Sequence, residues 1–309
     1  MTDLNAVAGD AAGVRAWWQR RGLPGLFDVH VHFMAPPIQR AVWDVFARAE
    51  HHPKLARPWP IRYQLREEER VALLRDFGVR RFSALSYAHK PGVAQFLNDW
   101  SRDFAVRVPD SLWSATFYPE PEAPSYVAGL IAEGIEIFKV HVQVGEFHLD
   151  DPLLDAVWGL LAEAGTPIVV HCGSGPIGNA FTGPTPLERV LRRHPRLAVV
   201  VAHLGAPEYA EFLALAETYP QVRLDTTMAF TDFFEDIGGF PRELLPRLAD
   251  LGDRVLLGSD FPSIPYPYLH QLEALERLGL GEQWLRAVCW DNCVALFGET
   301  RSAAVGSPG

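Results

Sequence analysis

Cysteine is scarce: Cys172, Cys289 and Cys293 are the only three in 309 residues. That number excludes a disulfide framework. Cys289 and Cys293, four apart on an expected helix, read as small core residues rather than a metal pair. Long apolar runs are missing too, so no segment is expected to span a bilayer. The N-terminus, MTDLNAVAGDAAGVRAWWQRRG, has an acidic start and no apolar stretch of signal-peptide type. A basic excess is absent: 28 Lys and Arg face 38 Asp and Glu, a net charge of −10 spread along the chain. Nucleic acid and anionic membranes are therefore not the expected partners, and a reduced cytoplasmic protein acting on a small molecule is. No Gly-rich phosphate loop follows the first strand, which disfavours an open doubly wound nucleotide-binding sheet.

What is present is alternation. Eight apolar runs read as strands buried on both faces: 26–32, 81–88, 112–118, 135–142, 166–172, 197–203, 222–227 and 254–260. Amphipathic segments such as 65–78, 93–108, 152–165 and 268–280 lie between them. Asp151 before Pro152 and Thr185 before Pro186 are expected N-caps followed by proline at the first helical position. The pattern predicts an α/β fold, a (β/α)₈ TIM barrel, as one domain over 1–309. It carries an N-terminal helical extension (about 1–24), an insertion after strand one (about 34–62) and a closing helix (about 281–298).

The reactive residues fall at strand ends. His30 and His32 end strand one, Lys139 and His141 strand four, His171 strand five, His203 strand six and Asp260 strand eight. Residues i and i+2 of a strand share a face, about 6.5 Å apart. His30 and His32 can thus point together, as can Lys139 and His141. Active sites of such barrels sit at the C-terminal strand ends. Imidazole and carboxylate together suit zinc or another divalent transition metal. Each residue alone has a bland reading, as a core histidine or, for Asp260, a turn cap. Their shared placement favours a metal site with an open position for water.

Other segments bear on substrate. HCGSGPIGNAFTGP (171–184) offers closely spaced glycines, either for an anion or only for unusual dihedrals. Phe230, Phe233 and Phe234 either line an apolar pocket or pack beneath the loop, and Tyr266 and Tyr268 lie near Asp260 in sequence, Tyr266 as a further substrate-binding candidate. His89 and Lys90 bring cationic groups to strand two. His51, His52, His148, His194 and His270 read as surface or capping residues.

The set DVHVHF, FKVH, VVHCG, VAHLG and GSDFP resembles the amidohydrolase superfamily over nearly the whole chain. The branch is that of aminocarboxymuconate semialdehyde decarboxylase. The resemblance implies His30, His32, His171 and Asp260 as metal ligands and His203 as acid or base, with Asp260 a second proton acceptor. It implies one divalent ion, zinc or manganese. Relatives with two metals carboxylate the lysine at the end of strand four, so Lys139, with His141, is a second-metal or substrate residue. A homodimer is a family habit. Two reactions fit: hydrolysis of an amide, ester or lactone by metal-activated water, favoured here, or non-oxidative decarboxylation of an aromatic or unsaturated acid. His30 departs from the glutamate found in some of those decarboxylases. A barrel that binds without turnover is the third reading.

Overall fold

All nine short strands run parallel and are largely buried on both faces, most fully in the Val-rich IVVH (168–171) and VVV (199–201). They are β1 Leu26–Asp28, β2 Val79–Ser83, β3 Ser111–Leu112, β4 Ser114–Thr116, β5 Ile137–His141, β6 Ile168–His171, β7 Val199–Val201, β8 Val222–Asp225 and β9 Val255–Leu256. The structure, a computed structural model, describes residues 4–51 and 58–299. His52 and parts of the 1–24 and 34–62 segments lie outside the described residues.

Pairing runs β1-β2-β3 and β4-β5-β6-β7-β8-β9. Only Trp113 separates β3 from β4, so together they are the third of the eight expected strands. The ring closes between the first and last strands. Val29 N–H donates to Leu257 O (2.9 Å), His32 N–H to Phe261 O (2.8 Å) and Asp260 N–H to His30 O (2.8 Å). The fold is a TIM barrel.

Two apolar clusters divide the core. Phe27, Val29, Leu112, Ile137, Val169, Val200 and Leu256 fill the barrel interior, and Trp290 and Cys293 of the C-terminal helical stretch pack beneath them. That stretch runs Glu282–Arg286, Ala287–Asp291 and Asn292–Phe297, its middle a π-type turn. The larger cluster lies between strands and outer helices. Phe27 and Val29 belong to the interior cluster, but Val31 belongs to the outer one. Alternation therefore changes phase after Val29, which turns His30 and His32 inward above the apolar plug.

The N-terminal helix Leu4–Arg20 is tied down by Trp17 Nε1–H on Glu276 Oε2 (3.0 Å) and Trp18 Nε1–H on Phe77 O (2.9 Å). Asp151 caps as expected, accepting from Leu153 N–H (2.9 Å). Thr185 does not: the helix starts at Pro184, with Gly183 as its N-cap. No helix among the described residues is long and apolar enough to cross a membrane.

Candidate metal centre and its cavity

Above the interior plug the strand ends open into a cavity of about 790 Å³. His30, His32, Lys139, His141, His171, His203 and Asp260 all line it, with His89 at the exposed rim. Three ligand atoms converge on its floor. His32 Nε2 lies 2.9 Å and His30 Nε2 3.8 Å from Asp260 Oδ1, and the three groups fall within 4.8 Å of one another. Ligands about 2.0–2.1 Å from a tetrahedral ion are roughly 3.4 Å apart. The observed spacings bracket that value, so the triad fits an ion.

The hydrogen bonds select the tautomers. His32 Nδ1 is 2.9 Å from Leu85 O, and a carbonyl can only accept. Its proton is therefore on Nδ1, and Nε2 presents a lone pair to the cavity. His203 is fixed in the same way by Thr227 O (3.0 Å). His30 Nδ1 meets Asp225 Oδ2 at 2.8 Å. The other Asp225 oxygen accepts from His203 N–H (2.9 Å) and Thr227 N–H (3.1 Å). Burial works to raise the Asp225 carboxyl, but these partners hold it below the usual carboxylate range. This is the carboxylate–histidine pair that orients a metal-binding imidazole.

Burial, with Lys139 beside it, pushes His30 down to about 3. Lys139 Nζ stands 3.2 Å from His30 Nε2 and is wholly buried. Burial lowers its ammonium to about 8 against the opposing pull of Asp225 and Asp260. An ion at His30 Nε2 would take the lone pair that this ammonium now faces.

The backbone is strained where the reactive groups sit. His203 (φ 55°), Leu204 (52°), Met228 (58°) and Asp260 (69°) all occupy the left-handed region. That costs energy in non-glycine residues and clusters at functional sites. The Asp260 turn is clamped to β1 by Asp28, which accepts from Ser259 Oγ–H (2.5 Å), Tyr268 O–H (2.8 Å) and His30 N–H (3.1 Å). Burial still pushes Asp28 up to about 7. Gly258 is required in this turn, because a Cβ there would lie 2.8 Å from His30 Cβ.

His141 and His171 behave differently. They are register partners on β5 and β6, and their rings stack at 3.8 Å. The His171 side chain makes no hydrogen bond among the described residues and is not part of the convergent triad. His141 Nδ1 accepts a long bond from Val144 N–H (3.4 Å), which leaves its proton on Nε2. Burial drives both well below the ordinary histidine range.

Three pocket assignments need correction. Phe230 packs on Phe240 (5.1 Å), Phe233 on Trp59 (4.8 Å), and Tyr266 O–H donates to Gln271 Oε1 (3.1 Å). None of the three lines the cavity; Phe234 and Met228 from the same loop do. A run of neighbouring aromatics does not reveal which ring turns inward once the loop coils. In 171–184, Ser174 N–H donates to Glu208 (3.0 Å), and Gly175 N–H and Gly183 N–H bind backbone carbonyls, so these three donors are not turned to an anion. Asp225 was missed because DTT reads as a strand end. Tyr87, half-buried and edge-on to His32 (5.9 Å), was hidden in an apolar strand.

No curated protein matches the chain. Among solved structures, an uncharacterized TIM-barrel protein from Bordetella bronchiseptica superposes with a TM-score of 0.69 at 20% identity, covering 89% of this chain and 99% of that one. A 5-carboxyvanillate decarboxylase from Novosphingobium aromaticivorans, complexed with manganese and a nitrobenzoic acid, gives 0.59 at 16% identity over 90% and 96%. A probable 2-pyrone-4,6-dicarboxylic acid hydrolase from Acinetobacter baumannii, with citric acid bound, gives 0.59 at 16% over 89% and 99%. At these identities the likeness carries the fold alone. The sequence pattern described as Amidohydrolase matches residues 27–298. The chain belongs to the amidohydrolase family.

Proposed function

We propose that this protein is a metal-dependent hydrolase of a small organic amide, ester or lactone. The observation that carries the reading is the convergence of His30 Nε2, His32 Nε2 and Asp260 Oδ1, with both imidazoles oriented through their Nδ1 atoms. In the proposal these three groups hold one divalent ion and His171, whose ring lines the same cavity, joins as a fourth ligand. The donor set suits zinc or manganese, and manganese is the ion in the Novosphingobium decarboxylase structure. When bound, such an ion polarises a carbonyl and lowers the pKa of water.

The chain supplies the remaining chemistry. His203, its Nδ1–H fixed on Thr227 O, takes a proton from the attacking water at Nε2 and returns it to the leaving group. Asp260 is a second acceptor for that proton. His141, protonated at Nε2, donates to the carbonyl oxygen of the substrate. Lys139 stays an unmodified amine. Donors aligned in advance by buried partners stabilise developing charge more than water can.

Decarboxylation of an aromatic or unsaturated acid is the second reading, and Lys139 favours it: a buried cation on the floor suits a substrate carboxylate. One experiment separates the two. Metal-loaded protein is incubated with a panel of esters, amides, lactones and aromatic carboxylic acids in ¹⁸O-water, and in parallel in D₂O. Hydrolysis places one solvent oxygen in the product acid. Release of CO₂ with deuterium at carbon replaces the proposal by the lyase reading. Saturable binding without product would leave a binding protein.

A further inference from the structure

The helix Pro36–Ala47, inserted after β1, carries Ile38, Ala41, Val42 and Val45 at helical spacing. Residues spaced i, i+3, i+4 and i+7 form one apolar stripe, which ordinarily packs on a core. Here all four line the cavity instead. Val45 remains 65% exposed. Val144, also on the lining, is 38% exposed. Large apolar side chains facing an open cavity mark a surface awaiting an apolar partner.

The two sides of the cavity differ in character. His30, His32, Lys139, His141, His171, His203 and Asp260 come from the strand ends, whereas the insertion supplies the stripe, Phe46 and Trp59 together with Gln39, Arg48 and His51. Among the described residues the lysine and arginine side chains on the lining are Lys139 on the floor and Arg48 at the C-terminal end of the inserted helix. A volume of about 790 Å³ lies high in the range for small-molecule sites, roughly 300–1,000 Å³. A single polar ring over the floor would leave the stripe facing water.

We propose that the site takes a substrate whose distal part is an uncharged alkyl or aryl-alkyl group seated against Ile38, Ala41, Val42 and Val45. A hydrophobic tail, rather than a second carboxylate, then sets specificity. The reacting end rests on the metal-dependent reading above; the tail contact does not depend on which bond is broken.

The test uses two probe series, n-alkyl hydroxamates and n-alkanols from two to eight carbons, titrated calorimetrically into metal-loaded protein. Only the hydroxamates chelate, so the offset between the series reports the ion and the slope within each reports the wall. A fully buried methylene strengthens binding about fourfold, and one against a half-open wall less. Affinity should rise by roughly 100-fold or more from two to eight carbons in both series. Val42→Asp should flatten the slope, and Val45→Asp, at an exposed position that tolerates charge, should do the same if Val42→Asp does not fold. Phe96→Asp, off the lining, should keep the slope. A flat response in both series, or a slope unaffected by both Asp variants, overturns the proposal. A slope with no hydroxamate offset upholds the wall and removes the metal reading instead.

Discussion

His30, His32 and His203 each commit Nδ1 to a fixed oxygen, whereas His141 and His171 lie face to face and, of the two rings, His141 alone accepts a bond, a long one from Val144 N–H. All five imidazoles occupy one cavity at the ends of neighbouring strands. The first three are locked in the tautomer that offers Nε2, which is what a metal ligand or a general base requires. The other two are held by stacking, and His141 presents N–H rather than a lone pair. The pinned side of the cavity suits fixed coordination; the stacked side suits contacts that form when substrate or ion arrives.

The comparison breaks most sharply at His32. His32→Ala should reduce metal content from one equivalent to below about a tenth and abolish turnover, as read by elemental analysis of dialysed protein; retained metal would place the ion elsewhere. His203→Asn comes next, with turnover down by about 10²–10⁴-fold and metal content unchanged. Metal lost together with activity would make His203 a ligand. Asp225→Asn keeps the shape but removes the carboxylate from His30, and should weaken metal affinity about 10–100-fold in a competition titration with a chelator. His171→Ala should cost less than that, since its ring is not pinned; an equal or larger loss would erase the distinction between the two sides.

The smallest expected effect is on acid stability. Burial holds His30, His141, His171 and His203 below the ordinary value of 6.5, His30 to about 3. The unfolded chain takes up protons near pH 6.5 that the fold refuses, so metal-free stability falls as pH drops below 6.5. Asp28, raised to about 7, acts oppositely between 3.8 and 7, one group against these four and His89, which burial also lowers. The urea midpoint should be lower at pH 5 than at pH 7.5. An unchanged or higher midpoint would mean that the imidazoles are solvated.

Much of this was legible in the sequence, for identifiable reasons. Parallel strands buried on both faces leave continuous apolar runs, so all eight appeared, and barrel geometry put their last residues in one place. The expected strands ran too long, because the alternating run DVHVH keeps a strand pattern where regular pairing stops at Asp28. Asp225 was opaque, since its partners lie 22 and 195 residues away. The inward turn of Phe234 rather than Phe230 depends on positive φ at Met228 and Phe230, which the residue types do not announce. The stripe of Pro36–Ala47 was readable as amphipathic, but its partner, a cavity rather than a core, was not.

Anomalous diffraction at the absorption edge of the bound ion, from crystals of metal-loaded protein, tests the central claim most directly. The account predicts one peak about 2.0–2.2 Å from His30 Nε2, His32 Nε2 and an Asp260 carboxylate oxygen. A peak coordinated by other residues, or two peaks bridged by a modified Lys139, would contradict it.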